Sequence, residues 1–350
     1  MSADINTLRD RIDEIDKQLL DLLNTRAGIS IKIRNIKRAL GLSEYTPARE
    51  NEVFASVESR NRGPLSDQKV NSIFQTIIRE SSSVVSQVDL SEENISKHNE
   101  LSIGDITIGS SQKVLMCGPC SVESKEQIEL CAQFLSKLKI PIMRGGAFKP
   151  RTSPYDFQGM GEKGLRLLSE AAHRHNLLTV SEIMDAQDIS LFADQVDIMQ
   201  IGARNMHNYS LIQKVARTGK PILLKRGFMS TIEEFLLAAE YILKEGNTKV
   251  ILCERGIRTF EKMTRFTLDL SCVALVKRMT NFPIISDLSH SLGRKDIISP
   301  MALAALACGS DGLMIEVHPN PIKAKSDSNQ SLSFSEMEQL MKDIEPFLRG

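Results

Sequence analysis

Chemistry-bearing residues recur directly after short apolar runs: Cys120, Arg144, Glu182, Arg204, Lys225, Arg255, His290 and Glu316, with a further acid, Asp327, beyond the last run. Cysteine, histidine, glutamate and aspartate drawn from separate runs make a mixed sulfur, nitrogen and oxygen set. Such a set suits a borderline divalent cation, Mn, Fe, Co or Zn, with no choice among them readable. The separations of Cys120, His290, Glu316 and Asp327 match no compact zinc motif, so a metal follows only if the fold gathers them. Arg144, Arg204, Lys225 and Arg255, once brought together, would repel one another unless a substrate with several negative charges lay between them. Phosphate and carboxylate fit that role best. The segment Arg144-Gly-Gly-Ala-Phe-Lys149-Pro150-Arg151-Thr152-Ser153 adds backbone that a ligand can approach closely, further cations and hydroxyls. Cys117-Gly-Pro-Cys120 also spells the C-x-x-C of redox proteins. The chain has no tryptophan, and Cys117 lies inside an apolar run, so it is expected to be a buried core thiol.

These groups need a scaffold that brings them to one place. The runs KVLMC, PIMRG, LLTVSEI, VDIMQIG, PILLKR, KVILCER, FPIISDL and GLMIEV begin near residues 113, 141, 177, 196, 221, 249, 282 and 312. Helix-like segments alternate with them, among them SKEQIELCAQFLSKL, STIEEFLLAAEYILKEG and TRFTLDLSCVALVKRM, so the strands are expected to be parallel. Eight such units over about 240 residues predict a closed (β/α)8 TIM barrel, whose active site forms where the strands end. A doubly wound open sheet is the alternative, but its glycine fingerprint after the first strand is absent. The last helix is expected to open with a capping box, Ser335-x-x-Glu338.

Ahead of the barrel, Leu8, Ile12, Ile15, Leu19, Leu22, Ile29, Ile33, Ile36 and Leu40 recur every three or four residues, which predicts one long amphipathic helix over residues 5–40. Its stripe is longer than a small domain covers internally, so a second copy of the chain is the expected partner. Further helices are predicted from Ala48 and from Ser66 to about Val85, giving an all-α three-helix unit at residues 1–88. Ser, Asn, Asp and Glu crowd the following stretch, the composition of a linker, placed at residues 89–100 with the barrel at 101–350. Lys plus Arg and Asp plus Glu are balanced at 44 each, so no overall field favours nucleic acid or an anionic membrane. The charged N-terminus and the lack of a long apolar run leave the cytoplasm as the expected compartment, and the six scattered cysteines read as reduced thiols.

The residues Gly118-Pro-Cys120-Ser-Val-Glu, Arg144-Gly-Gly-Ala-Phe-Lys149-Pro-Arg151-Thr, Gln200-Ile-Gly-Ala-Arg204-Asn, Leu-Leu-Lys225-Arg-Gly and Asp287-Leu-Ser-His290-Ser resemble the 3-deoxy-D-arabino-heptulosonate-7-phosphate (DAHP) synthases of type I beta. The related 3-deoxy-D-manno-octulosonate-8-phosphate synthases share the Gly-Pro-Cys pattern but carry an Asn-containing segment where this chain has Lys149-Pro-Arg151-Thr152. The resemblance implies an aldol-like condensation of phosphoenolpyruvate with erythrose 4-phosphate, giving DAHP and phosphate at the entry to the shikimate pathway. It implies the metal ligands Cys120, His290, Glu316 and Asp327. Arg144, Lys149, Ala203, Arg204, Lys225 and Arg255 would hold phosphoenolpyruvate, and Pro150, Arg151, Thr152 and Asp327 would face erythrose 4-phosphate. Lys149, Cys120, His290 and Glu182 would act at the reacting centre, with Lys149 the candidate proton donor to the developing alkoxide.

Residues 5–85 resemble the all-helical chorismate mutases through Leu8-Arg9-x-x-Ile12-x-x-Ile15-Asp16, Leu22-Leu23-x-x-Arg26, Ile36-Lys37 and Pro47-x-Arg49-Glu50. That resemblance implies a site for chorismate or prephenate built from Arg9 of a partner chain and from Arg26, Lys37, Arg49 and Glu50. Thr46 replaces an acid common before this Pro-x-Arg-Glu, and Val85, with Gln87 nearby, stands where the family has a polar residue, so mutase activity is expected to be weakened. A purely regulatory helical unit, sensing chorismate or prephenate and inhibiting the barrel, is the competing expectation. The expected assembly is a homodimer through the helices, or a homotetramer.

Overall fold

The computed structural model describes residues 2–39, 47–83, 100–149, 153 and 155–348. Two compact units emerge, Met1–Leu90 and Ser91–Gly350. Thr46, Val85, Gln87, Pro150, Arg151, Thr152 and residues 89–99 of the expected linker lie outside the described residues.

In the first unit α1 (Ser2–Ala39) packs on α3 (Asp67–Ser83), which also packs on α2 (Pro47–Arg60). The turn between α2 and α3 is held by Asn61, whose side-chain amide donates to the Leu65 carbonyl and to Asp67. Ser66 then caps α3 by accepting from the Lys69 N–H. The apolar stripe of α1 stays half exposed within the protomer, from Leu8 at 56% through Ile15 at 53% to Ile33 at 51%.

The second unit opens with a small antiparallel hairpin, β1 (Leu101–Ile103) and β2 (Ile106–Ile108), which the apolar patterning did not predict because each strand is only three residues long. Its Ile103 and Ile108 pack with Val114, Ile142, Ile251 and other inward side chains of the barrel strands. Those strands are β3 (Val114–Gly118), β4 (Ile142–Arg144), β5 (Leu178–Ile183), β6 (Ile198–Ile201), β7 (Ile222–Lys225), β8 (Val250–Glu254), β9 (Ile284–Asp287) and β10 (Gly312–Glu316). All pair in parallel with their neighbours, and β10 closes on β3 from Gly312↔Val114 to Glu316↔Gly118. The closed barrel excludes the open doubly wound sheet.

Around the strands run α4 (Lys125–Lys137), α5 (Gly161–Arg174), α6 (Ile189–Gln195), α7 (Tyr209–Ala216), α8 (Ile232–Lys244), α9 (Leu270–Met279), α10 (Leu288–Leu292), α11 (Ile298–Ala307) and α12 (Phe334–Leu348). Each strand is buried on both faces. Met116 enters the barrel core while Leu115 and Cys117 pack outward against the helices, which is why the strands read as unbroken apolar runs.

Two element starts differ from expectation. The helix predicted from Thr264 begins at Leu270, because Asp269 caps it by accepting from the Cys272 N–H while Thr267 is drawn into a bridge with Ile257. The capping box of α12 is Ser333 with Glu336, not Ser335 with Glu338. The Ser333 N–H donates to Glu336 at 2.7 Å and Ser333 Oγ accepts from the Glu336 N–H at 3.3 Å. Leu332, bridged to Val317, fixes where the chain enters that helix.

Candidate active site

At the C-terminal ends of the strands the sequence places its functional groups, and the fold brings them together. Cys120 follows β3, His290 lies on the short α10 after β9, Glu316 ends β10, and Asp327 sits in the next loop. Their ligand atoms all lie within 4.8 Å of one another. Cys120 Sγ is 3.0 Å from Asp327 Oδ2, and His290 Nε2 is 3.2 Å from Glu316 Oε1. Close approach of β3 and β4 depends on Gly118, at φ +144, where a Cβ would meet the Arg144 carbonyl oxygen at 2.1 Å.

Asp287, fully buried, organises two of these groups. It accepts from His290 Nδ1 at 2.8 Å and from Lys225 Nζ. With Nδ1 committed to Asp287, Nε2 turns its lone pair toward the cluster, the arrangement a metal-ligating imidazole needs. Burial works against ionisation of Asp287, but His290 and Lys225 hold its carboxyl well below the usual carboxylate range. Burial, reinforced by Glu316, pushes the Cys120 thiol up to about 12. A thiol so placed yields its proton on metal binding, because the thiolate is the ligand form. Burial also opposes the charge on Asp327, yet His290, Cys120 and Arg265 bring it to about 2. One thiol, one imidazole nitrogen and two carboxylates in this arrangement fit a borderline divalent ion.

Beside the cluster is a cavity of about 230 Å³ lined by Arg144, Lys149, Ala203, Arg204, Lys225 and Arg255, together with Glu182, His290 and Asp327. Arg144, Lys225 and Arg255 are each at most 5% exposed. Arg144 Nε is buried and has no hydrogen-bond partner among the described residues, a donor suited to an incoming anion. Lys149 Nζ donates to the Cys120 carbonyl at 2.9 Å and lies 3.0 Å from its sulfur, so the cavity and the ligand cluster are one site. Glu182 accepts from Gln200 at 3.2 Å and presses on Gly202, where a Cβ would fall 1.9 Å from Glu182 Oε1.

Sequence reasoning missed several residues of this site. Phe228 and Phe266 stack at 5.0 Å, and the Arg255 guanidinium lies over both rings, 4.8 and 4.1 Å from their centroids. That contact orients a guanidinium whose charge burial opposes, lowering its pKa to about 10, with Asp287 working the other way. Gln200, Asp156 and Arg265 also line the cavity, and Asp287 stands behind it, paired with Lys225 and His290. None carries a periodic signal; Gln200 and Asp287 lie at strand ends, where the barrel rule could have marked them, while Arg265 and Phe266 lie in the long loop between β8 and α9.

Cys117 does not share this site. It is buried among Leu115, Val122 and Leu313 on the helix side of β3, and both it and Cys120 are free thiols.

In the helical unit, Arg26 is partly buried and donates from Nη1 to Ser81 Oγ at 3.0 Å, a partner on α3 that the sequence had not singled out. Lys37 and Glu50 are partly buried, Arg9 is exposed, and Arg49 pairs with Glu52 at 2.7 Å on the surface. Among the described residues no helix is long and apolar enough to cross a membrane.

Comparison with known proteins agrees with this geometry. Residues 83–346 match the family model of the DAHP synthetase I family, and residues 8–85 match that of chorismate mutase type II. A phospho-2-dehydro-3-deoxyheptonate aldolase of Thermotoga maritima is 52% identical over 244 residues, covering 70% of this chain and 72% of that protein. A 2-dehydro-3-deoxyphosphooctonate aldolase of Acidithiobacillus ferrooxidans is 30% identical over 249 residues, covering 66% and 88%. The crystal structure of the Thermotoga maritima DAHP synthase superposes with a TM-score of 0.71 at 49% identity, covering 74% of this chain and 76% of that one. A truncated form of the Thermotoga maritima enzyme gives a TM-score of 0.69 at 46% identity, covering 75% and 96%.

Proposed function

The chain belongs to the DAHP synthetase I family, and we propose that its barrel condenses phosphoenolpyruvate with erythrose 4-phosphate to give DAHP and phosphate. The observation that carries this reading is the joining of a buried cation cavity to a metal-ligand set through Lys149 and Arg144. Arg144, Arg204, Lys225 and Arg255 hold the phosphate and carboxylate of phosphoenolpyruvate and orient its C3 toward the aldehyde. Cys120, His290, Glu316 and Asp327 would hold a divalent ion, which would supply Lewis-acid polarisation of the aldehyde carbonyl. Lys149 Nζ, 3.0 Å from the Cys120 sulfur, gives its proton to the aldehyde oxygen as the carbon–carbon bond forms. Water then adds at C2, and phosphate leaves. Glu182 and Gln200 face the same cavity and place the water. Pro150, Arg151 and Thr152 hold the second substrate.

For the helical unit, taken as residues 1–88 with a connector at 89–100, the reading is a site for chorismate or prephenate, converting the first to the second, sensing them for feedback on the barrel, or both. Arg26 supports it, as a partly buried cation fixed to Ser81 in a place where a dianion would be held by restriction and charge. The half-exposed stripe of α1 supports a homodimer through the helices, with a homotetramer as the larger assembly.

One assay tests the barrel. The purified chain is given phosphoenolpyruvate, Mn2+ and either erythrose 4-phosphate or arabinose 5-phosphate, and phosphate release is followed before and after a chelator. Release with the four-carbon sugar, stopped by chelation, is expected. Release with only the five-carbon sugar would favour the octulosonate reaction, and release indifferent to the chelator would remove the metal. Deleting residues 1–90 is expected to abolish inhibition by prephenate. An intact chain that never converts chorismate would leave the helical unit purely regulatory.

A further inference from the structure

The ligand-bearing segments are tied together by two residues that are not themselves ligands. Gln330 is 2% exposed and follows Asp327 by one tight turn, in which the Gln330 N–H donates to the Asp327 carbonyl at 3.3 Å. Its side-chain amide is committed at both ends. Nε2 donates to Glu316 Oε2 at 2.7 Å, and Oε1 accepts from Arg265 Nη1 at 3.1 Å. The same Arg265 nitrogen donates to Asp327 Oδ1, also at 3.1 Å. Reversing the amide would set its NH2 group against a guanidinium and its oxygen against a carboxylate, so the orientation is fixed by its partners.

Arg265 is in turn held from behind. Its N–H donates to the Leu292 carbonyl at 2.9 Å and that of Phe266 to the Ser291 carbonyl at 2.8 Å, both on or beside the short helix that carries His290. Room for this crossing comes from Gly293, at φ +67, where a Cβ would sit 2.4 Å from Arg265 Cβ. Arg265 therefore joins the His290 helix, the Asp327 loop and, through Gln330, the end of β10. Asp327 adopts φ +52, a left-handed conformation that costs energy for a residue with a side chain, so its loop needs such a tie.

The consequence concerns which oxygens remain. Glu316 Oε2 is taken by Gln330, which leaves Oε1, an acceptor for Arg144 as well, beside His290 Nε2; Asp327 Oδ1 is taken by Arg265, leaving Oδ2 beside the Cys120 sulfur. We propose that Gln330 and Arg265 form a clamp of positioning residues that makes each carboxylate offer one oxygen to the metal ion and so sets the site's affinity. This inference rests on the metal reading of the cluster given above.

The test measures metal affinity directly on the full-length chain, by competition of Mn2+ and Co2+ with a chelating dye, alongside circular dichroism of the metal-free protein. Gln330→Met fills similar space but donates nothing. It is expected to weaken binding on the order of 10–100-fold, the usual scale for losing an outer-sphere partner. Gln330→Glu keeps an acceptor for Arg265 but loses the donor to Glu316, and is expected to weaken binding as well; it serves if the methionine variant does not fold. In the double variant Gln330→Met, Arg265→Met the losses should not multiply, because both act through one clamp. The KM for phosphoenolpyruvate at saturating metal should stay within about twofold of wild type in Gln330→Met, since Gln330 does not line the cation cavity. Folded Gln330 variants that bind both ions as tightly as wild type, or losses that multiply in the double variant, would overturn the clamp. A wild-type chain that binds neither ion would instead overturn the metal reading itself.

Discussion

Arg144 Nη1 donates to Glu316 Oε1 at 3.0 Å, so a residue that lines the cation-rich cavity holds an oxygen of the proposed metal-ligand set two strands away. The same nitrogen donates to the Pro119 carbonyl at 2.6 Å, next to Cys120. With its side chain 5% exposed and that of Glu316 fully buried, the pair can be kept only as a pair. Arg144→Lys retains the charge and loses the planar fork. Each charged hydrogen bond given up costs about 1.5–3 kcal/mol, so the KM for phosphoenolpyruvate should rise roughly 10–100-fold. Steady-state kinetics with saturating Mn2+ would check this, and an unchanged KM would remove Arg144 from the binding set.

Cys120→Ser replaces the soft sulfur of the proposed metal site with a hydroxyl that does not ionise at neutral pH. The cluster would keep His290, Glu316 and Asp327. Retained metal is expected to fall below one ion per chain after dialysis, with activity lost in proportion and far-UV circular dichroism unchanged. Metal analysis by atomic emission reads the outcome; a serine variant that holds a full equivalent of metal would show that the sulfur is not a ligand.

Cys117→Ser separates a structural thiol from a redox one. Cys117 is buried with burial driving its thiol far above the usual range, so it has no thiolate to offer. Serine there leaves a hydroxyl among apolar neighbours, at a cost of about 1–3 kcal/mol. Unfolding in urea should shift to lower midpoint while metal content and phosphate release per folded chain persist. Activity that depended on Cys117, or on a disulfide between Cys117 and Cys120, would contradict this.

The barrel was legible because a strand buried on both faces prints an unbroken apolar run, and because a parallel barrel puts its working groups just after such runs; Cys120, Lys225 and Glu316 all lie there. What escaped was set by partners far away in sequence. Gln330 gains meaning from Glu316 and Arg265, and Ser81 from Arg26, none of which any periodicity links. The sequence Ser333-Phe-Ser335-Glu336-Met-Glu338 holds two overlapping capping boxes, and the bridge between Leu332 and Val317 selects the first. The hairpin at residues 101–108 was hidden by its brevity.

A last prediction concerns acid stability, through the buried group that braces the strand ends beside the cavity. Arg226 Nη1 donates to Asp269 at 2.7 Å and to Glu254 at 3.1 Å, joining the ends of β7 and β8 to the start of α9. Burial works against the Asp269 carboxylate, but Arg226 and Ser271 hold its pKa below the ordinary 3.8. A carboxyl depressed on folding stabilises the native state above its unfolded pKa, and that stability is lost as pH falls through the folded value. Asp269→Asn keeps an oxygen to cap α9 at Cys272, but it removes the charge and sets an NH2 group where an oxygen accepts from Arg226. At pH 7 the variant should therefore be less stable by on the order of 1–3 kcal/mol, with the gap closing below about pH 4. Urea unfolding of both proteins, stepped from pH 7 downward for as long as the chain stays folded, reads the difference. Equal stability at pH 7, or a gap that persists undiminished into acid, would mean that the Asp269 charge does not brace these strand ends.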